Sequence, residues 1–167
     1  MRELVSSGGI IIKNNKILLV SHGSFGWSFP KGKLKRNETI INACKREIKE
    51  ETGLKRFKIN KKLGIIKRGA IEKGTEKVKK SIHLYLITTE DKKLKDTCRW
   101  FTLEKASRIL AHKEDRKFLI RTKHQLKPFF TTKIKKTKIG TNIKKAKTNL
   151  LKARDHKNRT KNKNKII

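Results

Sequence analysis

Residues 32–54 read GKLKRNETIINACKREIKEETGL, and the spacing of charged residues and glycines in this stretch decides the fold of the chain. As a pattern it is G-x5-E-x7-R-E-(apolar)-x-E-E-x-G-(apolar). With average residue usage of about 5–7%, seven fixed identities coincide by chance at roughly one in 10^8 start positions. The pattern is therefore specific enough to support a functional interpretation.

The same stretch predicts a helix over residues 38–52. Apolar residues recur every four positions from Ile40 to Ile48, which gives one stripe that a helix buries. Asn37 is expected to cap the helix N-terminus through its side chain. Gly53 follows the last periodic residue and suits the left-handed conformation that ends many helices.

Three glutamates of this helix, Glu47, Glu50 and Glu51, lie at i, i+3 and i+4 and so share one face. Clustered carboxylates repel one another unless cations lie among them, and hard oxygen ligands suit Mg2+ or Mn2+. A solvated acidic face is the alternative. Because the chain has only 14 acidic residues against 47 basic ones, we prefer the metal site.

The complete pattern resembles the signature of the Nudix hydrolases, and the resemblance covers about residues 3–122. It implies an α/β fold, a Nudix-type α/β/α sandwich with a mixed sheet, in a domain of residues 1–122. It also implies metal-dependent attack of water on a diphosphate bridge, with Mg2+ as cofactor and Mn2+ as the alternative. The residues implied are Gly32, Glu47, Glu50 and Glu51 as metal ligands, the same three glutamates as catalytic residues, and Glu38 and Arg46 as structural support.

The segment before the helix adds a phosphate-binding element. Gly32 keeps a loop free of side chain, and Lys31 and Lys33 on either side are positioned to neutralise phosphate oxygens. The sequence Pro-Lys-Gly-Lys at residues 30–33 resembles that of the Nudix branch that cleaves dinucleoside polyphosphates, diphosphoinositol phosphates or mRNA caps. It is less similar to the MutT type. Tyr85 is a candidate for stacking on a base, although an aromatic residue in a strand is more often core. Candidates for a proton acceptor outside the helix are Asp96, Glu72 and Glu76.

Three functions follow from these features. The favoured one is Mg2+-dependent hydrolysis of a nucleoside diphosphate linked to another group, with a dinucleoside polyphosphate as the leading substrate. The second is an RNA 5′-pyrophosphohydrolase of the decapping type, or a MutT-like pyrophosphatase that cleans the nucleotide pool. The third is a non-catalytic RNA-binding protein on a Nudix scaffold.

The formal net charge of +33 is the second unusual feature. Residues 123–167 hold 16 basic residues and one acidic residue, Asp155, with few large apolar ones. We expect this lysine-rich tail to be disordered and to contact RNA or the ribosome. The alternative is nucleotide bias, because 36 Lys stand against 11 Arg.

The remaining patterns predict strands and location. No stretch approaches the roughly 18–20 apolar residues of a membrane span, and two cysteines make no disulfide framework, so we expect a cytoplasmic protein. The Asn14-Asn15 pair predicts a hairpin turn. Expected strands are 4–13, 16–21, 57–67, 81–89 and 100–101, with a loop at 69–79 and helical periodicity over 103–119.

Overall fold

A mixed sheet and three helices make up the fold. The computed structural model describes residues 2–72 and 74–130. Its strands are β1 (Glu3–Lys13), β2 (Lys16–Ser21), β3 (Trp27–Ser28), β4 (Lys31–Lys33), β5 (Phe57–Glu72), β6 (Glu76–Thr89) and β7 (Cys98–Phe101). Its helices are α1 (Ile40–Thr52), α2 (Leu103–Ile109) and α3 (Lys113–Leu126).

The sheet is built around β1, which is long enough to serve several neighbours. It runs parallel to β6 along most of its length and antiparallel to β2 at one end and β4 at the other. The strand order is β3-β2-β1-β6-β5, with β7 also paired to β2. As predicted, Asn14 and Asn15 form the turn between β1 and β2, with φ of 48° and 61°, the left-handed pair that a type I′ turn requires.

Helices cover both faces of the sheet, so the predicted α/β/α sandwich is confirmed. Strand alternation sends successive isoleucines of β1 to opposite sides. Ile11 packs under α1 with Cys44 and Ile48, whereas Ile10 and Ile12 join the core beneath α2 and α3. Both cysteines are free and buried. No helix among the described residues has the length and apolar content to cross a membrane.

Helix α1 begins two residues later than predicted, at Ile40. Its N-cap is Thr39, whose side chain accepts a hydrogen bond from the Asn42 backbone N–H at 3.3 Å. Asn37 has φ of 59°, and this left-handed backbone differs from the extended conformation of an N-cap residue. The prediction for Asn37 as cap was therefore wrong. Gly53 ends the helix in the left-handed conformation, φ 77°, as predicted.

The predicted loop at 69–79 was also wrong. Strand β5 continues to Glu72 and β6 already begins at Glu76, so the two form one long antiparallel hairpin. Polar residues dominate the sequence here, and pairing between strands overrides their weak individual preference for β structure.

The helical periodicity after residue 103 belongs to two helices, not one. At the break between α2 and α3, Leu110 forms a bridge with Trp27, and the Ala111 N–H donates to the Trp27 carbonyl at 2.9 Å. Helix α3 runs past residue 122, the boundary expected from the sequence, to the fully buried Leu126. The tail that we expect to be disordered spans residues 123–167, and its part from residue 131 to 167 lies outside the described residues.

Candidate active site

The glutamate-bearing face of α1 lies against the short strand β4. Glu47 is nearly buried, and its carboxylate occupies the space beside Gly32 where a side chain would otherwise project. A Cβ at Gly32 would overlap this carboxylate. The close approach of strand and helix therefore requires glycine at this position.

Arg46 ties the helix to the residues before it. Its Nε and Nη2 donate to Glu38 at 2.7 and 2.8 Å, and Nη2 also donates to the Lys33 carbonyl at 3.0 Å. Its Nη1 donates to both Glu47 and Glu50. The hydrogen bonds from Arg46, with one from the Lys35 N–H, lower the pKa of Glu38 to about 2. This geometry is what the expected supporting role of Arg46 and Glu38 requires.

Glu51 makes a second connection between α1 and β4. Its Oε2 accepts a hydrogen bond from the Lys31 backbone N–H at 2.8 Å. Burial raises the pKa of the Glu51 carboxyl, and the contact with Lys31 opposes that rise. Glu51 is therefore held at the junction of helix and strand, close to the backbone of Gly32.

The donors on this face fit a hard divalent cation by their chemistry. They are carboxylate oxygens beside a backbone segment that carries no side chain at Gly32. As they stand, no three His, Cys, Asp or Glu side chains in the described part of the chain are grouped to hold a metal. The guanidinium of Arg46 donates to Oε1 of Glu47 and to Oε2 of Glu50, and each of these carboxylates has a second oxygen that Arg46 does not contact.

On the other side of β4 lies a cavity of ≈ 410 Å³. Because side chains alternate along a strand, Lys31 and Lys33 point away from the glutamates and into this cavity. Four cationic side chains line it, together with two histidines and two aromatic rings. The charged and aromatic lining residues are His22, Phe25, Trp27, Lys31, Lys33, Arg68, Lys80 and His112.

The cavity walls are polar and partly buried. Burial lowers the pKa of Lys31, and the charges of Arg68 and Lys80 lower it further, against the opposing effect of Asp115. His22 contacts Ser28 through Nε2 and Oγ at 2.8 Å, and burial lowers the pKa of its imidazole. Phe25 remains 83% exposed at the rim.

Three of the predicted residues, Tyr85, Glu76 and Asp96, do not line this cavity. Tyr85 packs against the core beneath α1, on the opposite face of the sheet from the side chains of Lys31 and Lys33, and its role in substrate binding stays a prediction. Glu76 forms an ion pair with Arg2, and Glu72 is its cross-strand partner at the tip of the hairpin. Asp96 is exposed in the loop before β7.

Several cavity residues escaped the sequence analysis: His22, Arg68, Lys80 and His112. A signal existed for Lys80, which continues the alternation of Ile82 and Leu84 toward the same face. Since residues 69–79 were interpreted as a loop, neither Lys80 nor Arg68 could be assigned to a face. His22 and His112 lie in connections and carry no such signal.

The comparisons with known proteins identify the family. A sequence model of the NUDIX domain matches residues 4–122, well over half of the chain, and the chain therefore belongs to the Nudix family. Enzymes of this family generally use divalent metals such as Mg2+ and act on nucleotide substrates.

Two curated relatives are similar over short segments. The 8-oxo-dGTP diphosphatase of Buchnera aphidicola subsp. Schizaphis graminum is 46% identical over 52 residues, 28% of this chain and 40% of that protein. Its counterpart from subsp. Acyrthosiphon pisum is 53% identical over 34 residues, 20% of this chain and 27% of that protein. The chain thus matches less than half the length of either relative.

Solved structures agree on the fold. The crystal structure of the C. elegans Ap4A hydrolase superposes with a TM-score of 0.61 at 22% identity, over 75% of this chain and 99% of that one. The MutT protein from Bacillus halodurans gives a TM-score of 0.58 at 18% identity, over 70% and 80% of the two chains.

Proposed function

We propose that this protein is a Mg2+-dependent hydrolase that cleaves a diphosphate bridge in a nucleoside diphosphate linked to another group, with a dinucleoside polyphosphate as substrate. The observation that carries the choice of substrate is the cavity lined by Lys31, Lys33, Arg68 and Lys80, next to the glutamate face of α1. Four cations favour a ligand with several phosphates over one with a single diphosphate.

In this proposal, the glutamates of α1 bind the metal and Arg46 positions β4 against the helix. Glu47, Glu50 and Glu51 would hold the metal, together with the carbonyl of Gly32 from the strand side. The chemistry that a bound divalent ion would supply is polarisation of phosphate oxygens and a lower pKa for the attacking water. Arg46 holds the Lys33 carbonyl and Glu38, and so keeps β4 in register with the helix.

The cavity residues bind and orient the substrate. Lys31 and Lys33 neutralise phosphate oxygens on the side of β4 away from the glutamates. The exposed ring of Phe25 at the cavity rim offers a stacking surface for a base.

A panel of substrates tests this function. Diadenosine tetraphosphate, 8-oxo-dGTP, ADP-ribose, a diphosphoinositol phosphate and 5′-triphosphorylated RNA are incubated with Mg2+, and phosphate products are measured. We expect the dinucleotide to be cleaved with the highest kcat/KM. Glu51→Gln should lower kcat by about 100-fold or more, because it removes a metal-binding charge. Glu104→Gln, an exposed helical glutamate on α2, is the matched control and should leave kcat unchanged.

A second candidate is a pyrophosphatase for oxidised nucleotides. The two relatives named 8-oxo-dGTP diphosphatase favour it, over the segments that match. The same panel with dGTP added separates the two, since this candidate predicts a preference for 8-oxo-dGTP over both dGTP and the dinucleotide. Equal hydrolysis by the wild type and Glu51→Gln would contradict both candidates.

A further inference from the structure

A buried ion pair lies behind the cavity wall. Arg68, in β5, donates from Nη1 to Oδ1 of Asp115, in the first turn of α3, at 2.9 Å. Their side chains are 8% and 1% exposed, and Oδ2 of Asp115 has no hydrogen-bond partner among the described residues. Apolar residues of similar volume are often at least as stabilising as a buried ion pair, so stability alone is a weak reason for this arrangement.

Besides Asp115, Arg68 has cationic side chains near it at the cavity wall. Lys80 is its direct cross-strand partner, and both side chains line the cavity together with Lys31. Like charges opposite each other in a sheet are destabilising. The bond to Asp115 uses one of the five N–H donors of the guanidinium. The cationic side chains that line the cavity would attract an anionic ligand.

We propose that Arg68 binds an anionic group of the substrate in the cavity and that Asp115 is a positioning residue, which holds the guanidinium in place for that contact. The inference rests on the proposed function and deepens it. The substrate straddles β4, with the cleaved bridge beside the glutamates and a further phosphate at Arg68. We expect a chain of three or more phosphates to reach both places and a lone diphosphate to reach one.

Steady-state kinetics of single variants tests the contact. For diadenosine tetraphosphate, Arg68→Gln should raise KM by about 10- to 100-fold, the range of a lost charge-assisted contact, and change kcat little. For ADP-ribose, which carries only one diphosphate, KM should hardly change. Lys67→Gln is the matched control, because it removes the same charge from the neighbouring residue of β5, which is exposed on the other face of the sheet.

The role of Asp115 needs a readout that a purely structural role would not move. Asp115→Asn should raise KM for the tetraphosphate, and the double variant with Arg68→Gln should be no worse than Arg68→Gln alone. Arg68→Lys keeps the positive charge but loses the planar, two-pronged set of N–H donors of the guanidinium. Its KM for the tetraphosphate should lie between those of the wild type and Arg68→Gln. Additive effects of Asp115→Asn and Arg68→Gln, or equal KM values for Arg68→Gln and Lys67→Gln, would overturn the proposal.

Binding of inorganic tripolyphosphate, measured by calorimetry without metal, keeps this inference separate from the enzymatic one. The wild type and Lys67→Gln should bind it about 10-fold or more tightly than Arg68→Gln. Arg68-dependent binding without hydrolysis of any panel substrate would reject the proposed function and support the anion contact. If the protein hydrolyses panel substrates but all variants bind tripolyphosphate with equal affinity, the proposed function is supported and the anion contact at Arg68 is rejected.

Discussion

Gly32 has no Cβ atom, and this leaves room for the Glu47 carboxylate beside β4. We predict that Gly32→Ala lowers kcat at least about 10-fold, because the overlap pushes the Glu47 carboxylate from its place. Gly69→Ala, in an open position of β5, should keep wild-type activity. Both variants are assayed on the best panel substrate, and circular dichroism checks the fold. Equal activity of the two variants would remove the argument for close approach.

Glu38 gives the helix face a dependence on pH. Its pKa, lowered to about 2 by Arg46, lies below the unfolded value of about 4.3, so the charged form stabilises the folded state. That contribution is complete above the unfolded pKa and is lost as pH falls toward 2. We predict that Glu38→Gln lowers Tm at pH 7 and that the gap to the wild type narrows between pH 4 and pH 2. A gap of constant size across this range would show that charge is not its source.

At the level of single residues, the sequence predicted the helix that carries Glu47, Glu50 and Glu51, and their metal-binding role stays a prediction. The spacing of Glu47, Glu50 and Glu51 is set by one helix, and local periodicity is visible in the sequence. Arg68 and Asp115 are 47 residues apart and meet only through the sheet and α3. Contacts of that kind have no local signature, and so they became visible only in the structure.

At the scale of secondary-structure elements, the stability of α1 depends on its N-cap residue, Thr39. Thr39→Ala removes the acceptor for the Asn42 N–H, and we predict a loss of about 1 kcal/mol in the free energy of unfolding, measured by urea denaturation. Thr75→Ala, an exposed threonine in the turn between β5 and β6, serves as control and should change stability by less than about 0.5 kcal/mol. The cap assignment fails if both variants unfold at the same urea concentration.

Elements with strong local patterns were predicted with good boundaries, and the others were not. The hairpin of β1 and β2 combines β-branched runs with a two-residue turn, and each signal supports the other. The hairpin of β5 and β6 is lysine-rich, and Gly69 and Gly74 suggested a loop. Pairing along the whole length of both strands, including Arg68 with Lys80, decides the structure there.

For the whole molecule, the position of the last helix sets where the domain ends. We predict that truncation after residue 122 lowers the free energy of unfolding by about 2–5 kcal/mol relative to truncation after residue 130. The shorter protein loses the last turn of α3 and the fully buried Leu126. Both proteins lack residues 131–167, so the comparison holds that change constant. Matching urea midpoints would place the domain end at 122, as first expected from the sequence.

The alternation of β4 has a consequence for how this protein can change over time. One face of a three-residue strand meets the glutamates and the other meets the cationic cavity. Under the proposed function, we therefore expect substitutions around Arg68 or Lys80 to change the preferred substrate while the glutamates of α1 keep their positions. The reaction and the choice of substrate could then evolve separately.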